Sequence, residues 1–265
     1  MAVKPNKKIE ELTIVRKELY SSNHLYFELQ ASHPFLDILP GQFVQVQVEN
    51  NSHVFLRRPL SVHDWDENKG LLSLWVKVVG KGTASLAEMV IGETLNLIYP
   101  LGNAFSEPSV KEGVLLIGGG CGSAPLLYLA RYLHAKQISL DILLGARTAT
   151  EIPYPEKYEI FGRVHVMTED GSLGDKGLVT QHPLLSGKND LVKQIYTCGP
   201  DPMMKAIGKI AEKNNIPCQI SLENMMACGI GACLCCVVKT DKGHVCTCTE
   251  GPIFNIRELN EWLYK

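Results

Sequence analysis

Val114-Leu-Leu-Ile-Gly-Gly-Gly-Cys-Gly-Ser-Ala-Pro-Leu-Leu-Tyr-Leu-Ala-Arg-Tyr-Leu133 decides the architecture of this chain. An apolar run, Val114 to Ile117, enters a glycine-rich turn, Gly118-Gly119-Gly120-Cys121-Gly122, and a helix-like apolar segment, Leu126 to Leu133, leaves it. Strand, turn and helix in that order are what a dinucleotide pyrophosphate requires, because close backbone approach and a helix N-terminus both favour the anion. The turn departs from G-x-G-x-x-G, since Ser123 occupies the final small position, so a tight structural turn competes with a phosphate cradle. A second strand is expected over Ile138 to Gly145, and others over Arg163 to Thr168, Gln194 to Cys198 and Cys218 to Leu222. Strands alternating with helices predict a parallel sheet of nucleotide-binding type. Tyr196-Thr197-Cys198-Gly199-Pro200-Asp201 ends one of these strands and so reaches the carboxyl edge of the sheet, where ligands sit. Asp201 is read as capping a helix with Pro202 at its first position, and Met203, Ile207, Ile210 and Ala211 recur at helical spacing as core residues.

Upstream, from about Leu12 to Asn103, the texture is different. Val44, Val46 and Val48 alternate with Gln45 and Gln47, and Leu72, Leu74, Val76 and Val78 alternate with Ser73, Trp75 and Lys77. Period-two segments divided by turn residues predict a small antiparallel barrel. Two pieces of this barrel suit a phosphate. Arg58-Pro59-Leu60-Ser61 sets a cation and a hydroxyl three residues apart, and Gly80-Lys81-Gly82-Thr83 follows a strand with free backbone N–H groups and a hydroxyl. A surface arginine at a strand end is the competing reading of the first.

Downstream, four cysteines stand as Cys228-x4-Cys233-x2-Cys236, with eleven residues separating Cys236 from Cys248. This is the plant-type ferredoxin spacing for a 2Fe-2S cluster, and Gly229, Gly231 and Ala232 let the backbone wrap tightly. Zinc is a competing reading, but structural zinc sites pair two short knuckles, whereas here three cysteines crowd together and the fourth is remote. Disulfides compete less well, because the nine cysteines are odd in number and Met1-Ala2-Val3-Lys4-Pro5-Asn6-Lys7-Lys8 carries no secretory signal. The spacing selects Cys236 over its neighbour Cys235 and leaves Cys246 beside Cys248. Cys121, Cys198 and Cys218 lie outside this segment and are expected to be small buried residues.

With 265 residues, 45% hydrophobic content and a net charge of -2, the chain has room for two domains and a small appendage, and it lacks a nucleic-acid footprint. The most apolar stretch, Val114 to Ala130, is broken by glycines, a serine and a proline and fails as a membrane span, so a cytoplasmic location is expected.

In order along the chain, R-x-x-S, G-x-G-T, the triple glycine and C-G-P resemble the ferredoxin reductase superfamily, in which a flavin-binding barrel precedes a pyridine-nucleotide domain. Glu223-Asn-Met-Met-Ala-Cys-Gly-Ile-Gly-Ala-Cys-Leu-Cys-Cys236 and Cys248-Thr-Glu-Gly-Pro-Ile-Phe254 narrow the resemblance to the electron-transfer subunits of NAD-linked bacterial dihydroorotate dehydrogenases. The resemblance implies an FAD-binding barrel over residues 1–105, an α/β pyridine-nucleotide domain over 106–220 and a 2Fe-2S segment over 221–265. It implies Cys248 as the fourth ligand, three residues before the Gly-Pro, with Cys228, Cys233 and Cys236 as the others. It also implies that Arg58, Pro59, Leu60 and Ser61 bind FAD, that Trp75, Val76 and Lys77 line the isoalloxazine, and that Gly82 and Thr83 hold phosphates. Gly118, Gly119, Gly120 and Gly122, with Cys198 and Gly199, are implied to face NAD. Glu169 and Asp170 follow a strand and suit a ribose hydroxyl, although an acidic surface loop explains them equally. The implied partner is an FMN-bearing dihydroorotate dehydrogenase catalytic chain in a hetero-oligomer, with electrons passing through the cluster and FAD to NAD+. The alternative is the small subunit of a ferredoxin:NADP oxidoreductase or sulfide dehydrogenase. A flavin is needed because hydride carries two electrons and the cluster accepts one. No acid or base for pyrimidine chemistry is evident.

Overall fold

A computed structural model describes residues 7–31, 38–49, 52–186 and 191–264. Residues 1–6, on which the expectation of no secretory signal partly rests, lie outside them. Among the described residues no helix is long and apolar enough to cross a membrane.

The first half is the expected barrel. Strands β1 (Lys8–Ser21), β2 (His24–Gln30), β3 (Phe43–Val46), β4 (Arg58–Asp66) and β5 (Leu71–Lys77), helix α1 (Lys81–Glu88) and strand β6 (Thr94–Leu101) follow one another, and the strands close in the order β1-β2-β5-β4-β3-β6. Every pairing is antiparallel. Alternation supplies the interior: Val44, Val46, Leu72, Leu74 and Val76 all fill one core. Burying such a side chain contributes roughly 1.5–3 kcal/mol before conformational entropy is counted. The residues between them are also covered. Gln45 and Trp75 point to the outside of the barrel yet are 0% and 3% exposed, because the rest of the chain packs there.

The second half is the expected open sheet. It is built from β7 (Val114–Gly119), α2 (Ala124–Ala135), β8 (Leu140–Ala146), α3 (Pro155–Glu159), β9 (Arg163–Thr168), β10 (Asp175–Lys176), β11 (Gln194–Cys198), α4 (Asp201–Lys213) and β12 (Cys218–Ser221). These strands run parallel in the order β10-β9-β8-β7-β11-β12. Leu115 and Ile117 of β7 pack on one face and Val114 and Leu116 on the other, so the central strand reads as a continuous apolar run. The chain moves outward from β7 in both directions, and the switch point therefore lies between β7 and β11.

The C-terminal segment forms the hairpin β13 (Val237–Thr240) and β14 (Gly243–Cys246), strand β15 (Ile253–Asn255) and helix α5 (Asn260–Tyr264). Expected as a small appendage, it is joined to the sheet: β15 pairs antiparallel with β12 and extends the sheet to seven strands. A second difference is small. Helix α4 begins at Asp201 with Pro200 as its cap, one residue earlier than the spacing predicts.

Helix α2 locks the halves together. The buried His63 Nδ1–H donates to the Ala124 carbonyl at 2.8 Å, Tyr128 OH donates to the Ile38 carbonyl at 2.6 Å, and Arg131 Nε–H donates to Asp64 at 2.9 Å. These bonds hold the barrel wall against the start of the helix that follows the glycine turn.

Candidate functional site: an arginine ledge, a cleft and a cysteine cradle

Arg58 to Ser61 open β4 and are half-buried, whereas Val62 and His63 beyond them are buried. The Arg58 guanidinium donates to the carbonyls of Leu56 (3.0 Å) and Arg57 (3.3 Å), and among the described residues no carboxylate pairs with it. It lies against the first turn of α1. A Cβ at Gly82 would meet Arg58 Nε at 2.3 Å, so the glycine leaves the room that the guanidinium occupies. An uncompensated cation beside the N-terminus of an eight-residue helix is a fit for a pyrophosphate. Thr83 serves this ledge indirectly. Its Oγ1 accepts from Val79 N–H (2.9 Å) and Gly80 N–H (3.2 Å) and donates to the Gly80 carbonyl (3.1 Å), so the hydroxyl caps the turn.

Of the three residues implied for the isoalloxazine, only two present side chains outside the barrel. Trp75 is boxed by Tyr20 edge-on at 4.9 Å and His24 stacked at 5.6 Å, with its buried Nε1 unpartnered. Lys77 reaches the cleft described next. Val76 points into the barrel core, so only its backbone faces outward.

A cleft of about 640 Å³ opens at the switch point. Lys77 lines it from the barrel, Gly119, Gly120 and Gly122 from the β7 turn, Gly199 and Pro200 from the end of β11, and Glu223 from the C-terminal segment. The two glycine turns meet back to back: a Cβ on Gly122 would stand 2.4 Å from Gly199 Cα. That contact explains a glycine at Gly122 without the dinucleotide fingerprint. Glu169 lines it as well, as a ribose-facing carboxylate would, and Asp170 does not. Arg147 lines it too, but its guanidinium is paired with Glu151, which also faces Lys77 at 3.7 Å. Burial, reinforced by Asp201, raises the pKa of Glu223.

Two of the residues implied for NAD are not on this surface. Gly118 is inside β7, where a Cβ would strike Ser123. Cys198 is 1% exposed, and burial pushes its thiol up; it lies behind the wall that Gly199 and Pro200 present. Cys121, expected to be a small buried residue, instead contributes to the cleft, with burial pushing its thiol up to about 12.

The cysteine segment packs on the outside of the barrel. Phe43, Ile98 and Leu101 meet Cys236, Cys246, Cys248 and Met226 in one cluster. The cysteines fall into pairs. Cys228 and Cys233 are within hydrogen-bonding reach, and Cys228 Sγ accepts from the N–H groups of Ile230 (3.5 Å) and Cys233 (3.4 Å). Burial pushes the Cys228 thiol up, and these donors more than offset it, bringing it down to about 6. Cys236 and Cys248 form the other pair, in which burial and Cys236 push the Cys248 thiol up to about 12. Cys246 also touches Cys236 and feels Cys233, while Cys248 accepts from the Gly231 N–H and feels Cys228. Among the described residues no three His, Cys, Asp or Glu side chains close on one point as a single metal ion needs. Two pairs of cysteine sulfurs facing backbone N–H groups fit a two-iron cluster better than a single zinc. Cys235 is exposed.

Glu223, Met203 and Gln45 are site residues that the pattern of the chain did not single out for a role. Met203, read as core, lines the cleft, while its neighbour Met204 is buried in the core. Helical spacing identifies a buried face without saying which of its edges borders a ligand.

Comparison with known proteins agrees with this geometry. Residues 11–105 match the oxidoreductase FAD-binding domain family, and residues 223–260 match the iron-sulfur cluster binding domain of dihydroorotate dehydrogenase B. The chain is 44% identical over 227 residues to the dihydroorotate dehydrogenase B (NAD(+)) electron transfer subunit of Caldanaerobacter subterraneus subsp. tengcongensis, covering 83% of this chain and 86% of that one. It is 37% identical to the subunit of the same name from Lysinibacillus sphaericus, covering 92% and 96%. A solved structure of an NADH-dependent reduced ferredoxin-NADP oxidoreductase superposes with a TM-score of 0.82 at 32% identity, covering 96% of this chain and 91% of that one. An FAD-type barrel, a nucleotide cleft and a paired-cysteine cradle thus occur together in a sequence whose two curated relatives above share one name, and the chain belongs to the family of dihydroorotate dehydrogenase B (NAD(+)) electron transfer subunits.

Proposed function

We propose that this chain is the electron-transfer subunit that passes electrons from dihydroorotate oxidation, on an FMN-bearing partner chain, through a 2Fe-2S cluster and FAD to NAD+ in cytoplasmic pyrimidine biosynthesis. Bound flavin supplies the exchange between two-electron and one-electron transfer that hydride and cluster require. Residues 1–105 hold FAD, with Arg58 and the start of α1 on the pyrophosphate and Trp75 and Lys77 toward the ring. Residues 106–220 hold NAD+ against Gly119, Gly120, Gly122 and Gly199, with Glu169 accepting from the ribose. Residues 221–265 hold the cluster on Cys228, Cys233, Cys236 and Cys248.

One observation carries this reading: Glu223 and Lys77 line the same cleft, and Glu223 stands five residues before Cys228, so the chain threads directly from the nucleotide cleft to the cysteine cradle. Electrons enter on the uncovered side of that cradle. Cys233 is exposed there, and Met225, Ile230 and Leu234 are 81%, 45% and 66% exposed on the same segment, an apolar rim suited to the partner chain. The ferredoxin-NADP alternative shares the fold, but the match at residues 223–260 and the 44% identity favour the dihydroorotate enzyme.

The test is the purified chain's visible spectrum with its iron and flavin content. About two irons per chain and bound FAD are expected. A colourless protein holding zinc would contradict the proposal.

A further inference from the structure

Gln45 sits midway along β3, between the barrel-core residues Val44 and Val46, and so points to the outside of the barrel. It is 0% exposed. Among the described residues it is the one side chain with two buried polar atoms, Oε1 and Nε2, and no hydrogen bond to either. A buried carboxamide in that condition calls for a partner, since native proteins satisfy nearly all such groups.

Its surroundings say which. Across the ladder Gln45 faces Pro59 of the Arg58 to Ser61 strand on one side and Ile98 on the other. Above it lies the cysteine loop: a Cβ on Gly229 would meet Gln45 Cγ at 2.6 Å and Nε2 at 2.7 Å, so the amide is pressed against the residue that follows Cys228. Gly229 has φ +70°, a conformation that glycine adopts without strain, and its missing side chain leaves the room the carboxamide fills. Phe43, two residues earlier on the same outer face, belongs to the cluster that packs Cys236 and Cys248. The carboxamide is therefore enclosed between the strand implied for flavin and the loop of cysteines.

We infer that Gln45 donates a hydrogen bond from Nε2 to a sulfur of the 2Fe-2S centre and thereby tunes its potential. Thiolate and sulfide are acceptors, and the amide offers two N–H donors. A donor aimed at cluster sulfur stabilises the more negative, reduced centre and raises its potential. This step rests on the iron-sulfur reading above.

The test is an EPR-monitored redox titration of the holo chain in complex with its partner, comparing the parent with Gln45→Met. Methionine keeps the length and apolar bulk and removes the donor. The ratio of reduced to oxidised cluster at a fixed solution potential should fall by about tenfold, a shift of about 59 mV for one electron. Pulsed EPR of the reduced parent, carrying 15N in its glutamine side chains, should show coupling to an amide nitrogen. That measurement decides the matter even if Gln45→Met fails to retain iron. An unchanged potential with full iron, no nitrogen coupling in the parent, or a shift confined to the flavin would each overturn the inference. A parent chain with no 2Fe-2S absorption would remove the iron-sulfur reading itself.

Discussion

Replacing Arg58 by alanine separates binding from folding. Among the described residues the guanidinium bonds only to the carbonyls of Leu56 and Arg57, its own neighbours, and no carboxylate there depends on it. Its loss should leave the stability of the cofactor-free chain within about 0.5 kcal/mol of the parent. The cost appears when FAD binds. A charge-assisted hydrogen bond contributes about 1.5–3 kcal/mol, which is roughly ten- to a hundredfold in affinity at 1.36 kcal/mol per decade. Arg58→Lys keeps the charge but not the planar fork and should fall between the two. Flavin fluorescence released on serial dilution reports the dissociation constant, and thermal unfolding of the cofactor-free chain is the control. FAD retention equal to the parent's would refute the assignment and leave Arg58 a surface charge at a strand end.

Three further outcomes follow from the same geometry. Cys228→Ser, Cys233→Ser, Cys236→Ser and Cys248→Ser should each lose iron, and Cys235→Ser and Cys246→Ser should keep it; full iron in Cys248→Ser with loss in Cys246→Ser would exchange the fourth ligand. Gly122→Ala drives a methyl into Gly199 backbone at 2.4 Å, and with neither partner a flexible side chain it should cost about 1–3 kcal/mol and raise the KM for NADH, so parental values of both would deny the back-to-back turns. Burial lowers the pKa of His63 to about 4 from its usual 6.5; the unfolded chain therefore binds a proton that the native chain does not, and stability falls as pH drops from about 6.5 to 4 by about 3 kcal/mol. Denaturant midpoints across that range should be flatter for His63→Gln than for the parent, and equal slopes would contradict the buried neutral imidazole.

The parts of the fold legible in the sequence are those whose signals are local. Val114 to Leu133 announces a strand, a turn and a helix by composition alone, and the alternation around Val44 and Leu72 gives the barrel interior. Cysteine spacing is equally local, and the pairs 228–233 and 236–248 follow the order of the chain. What was not legible depends on distant segments meeting. Gln45 reads as a solvent-facing residue because alternation names two faces without saying what covers the second; here the loop around Gly229 does. Strand β15 is three residues long and gains its identity only by pairing with β12. Glu223 and Met203 become cleft residues because the end of β12 and the start of α4 border the glycine turn of β7. Cys198 shows the converse, for the strand end was legible but the side of the wall on which its thiol falls was not.

The most direct test of the central claim is dihydroorotate-dependent reduction of NAD+, followed as NADH absorbance, by this chain alone and after mixing with its FMN-bearing partner. The chain alone should oxidise NADH with an artificial acceptor and leave dihydroorotate untouched, and the mixture should form NADH from dihydroorotate. Dihydroorotate oxidation by the single chain, or a mixture that oxidises dihydroorotate without reducing NAD+, would contradict the account.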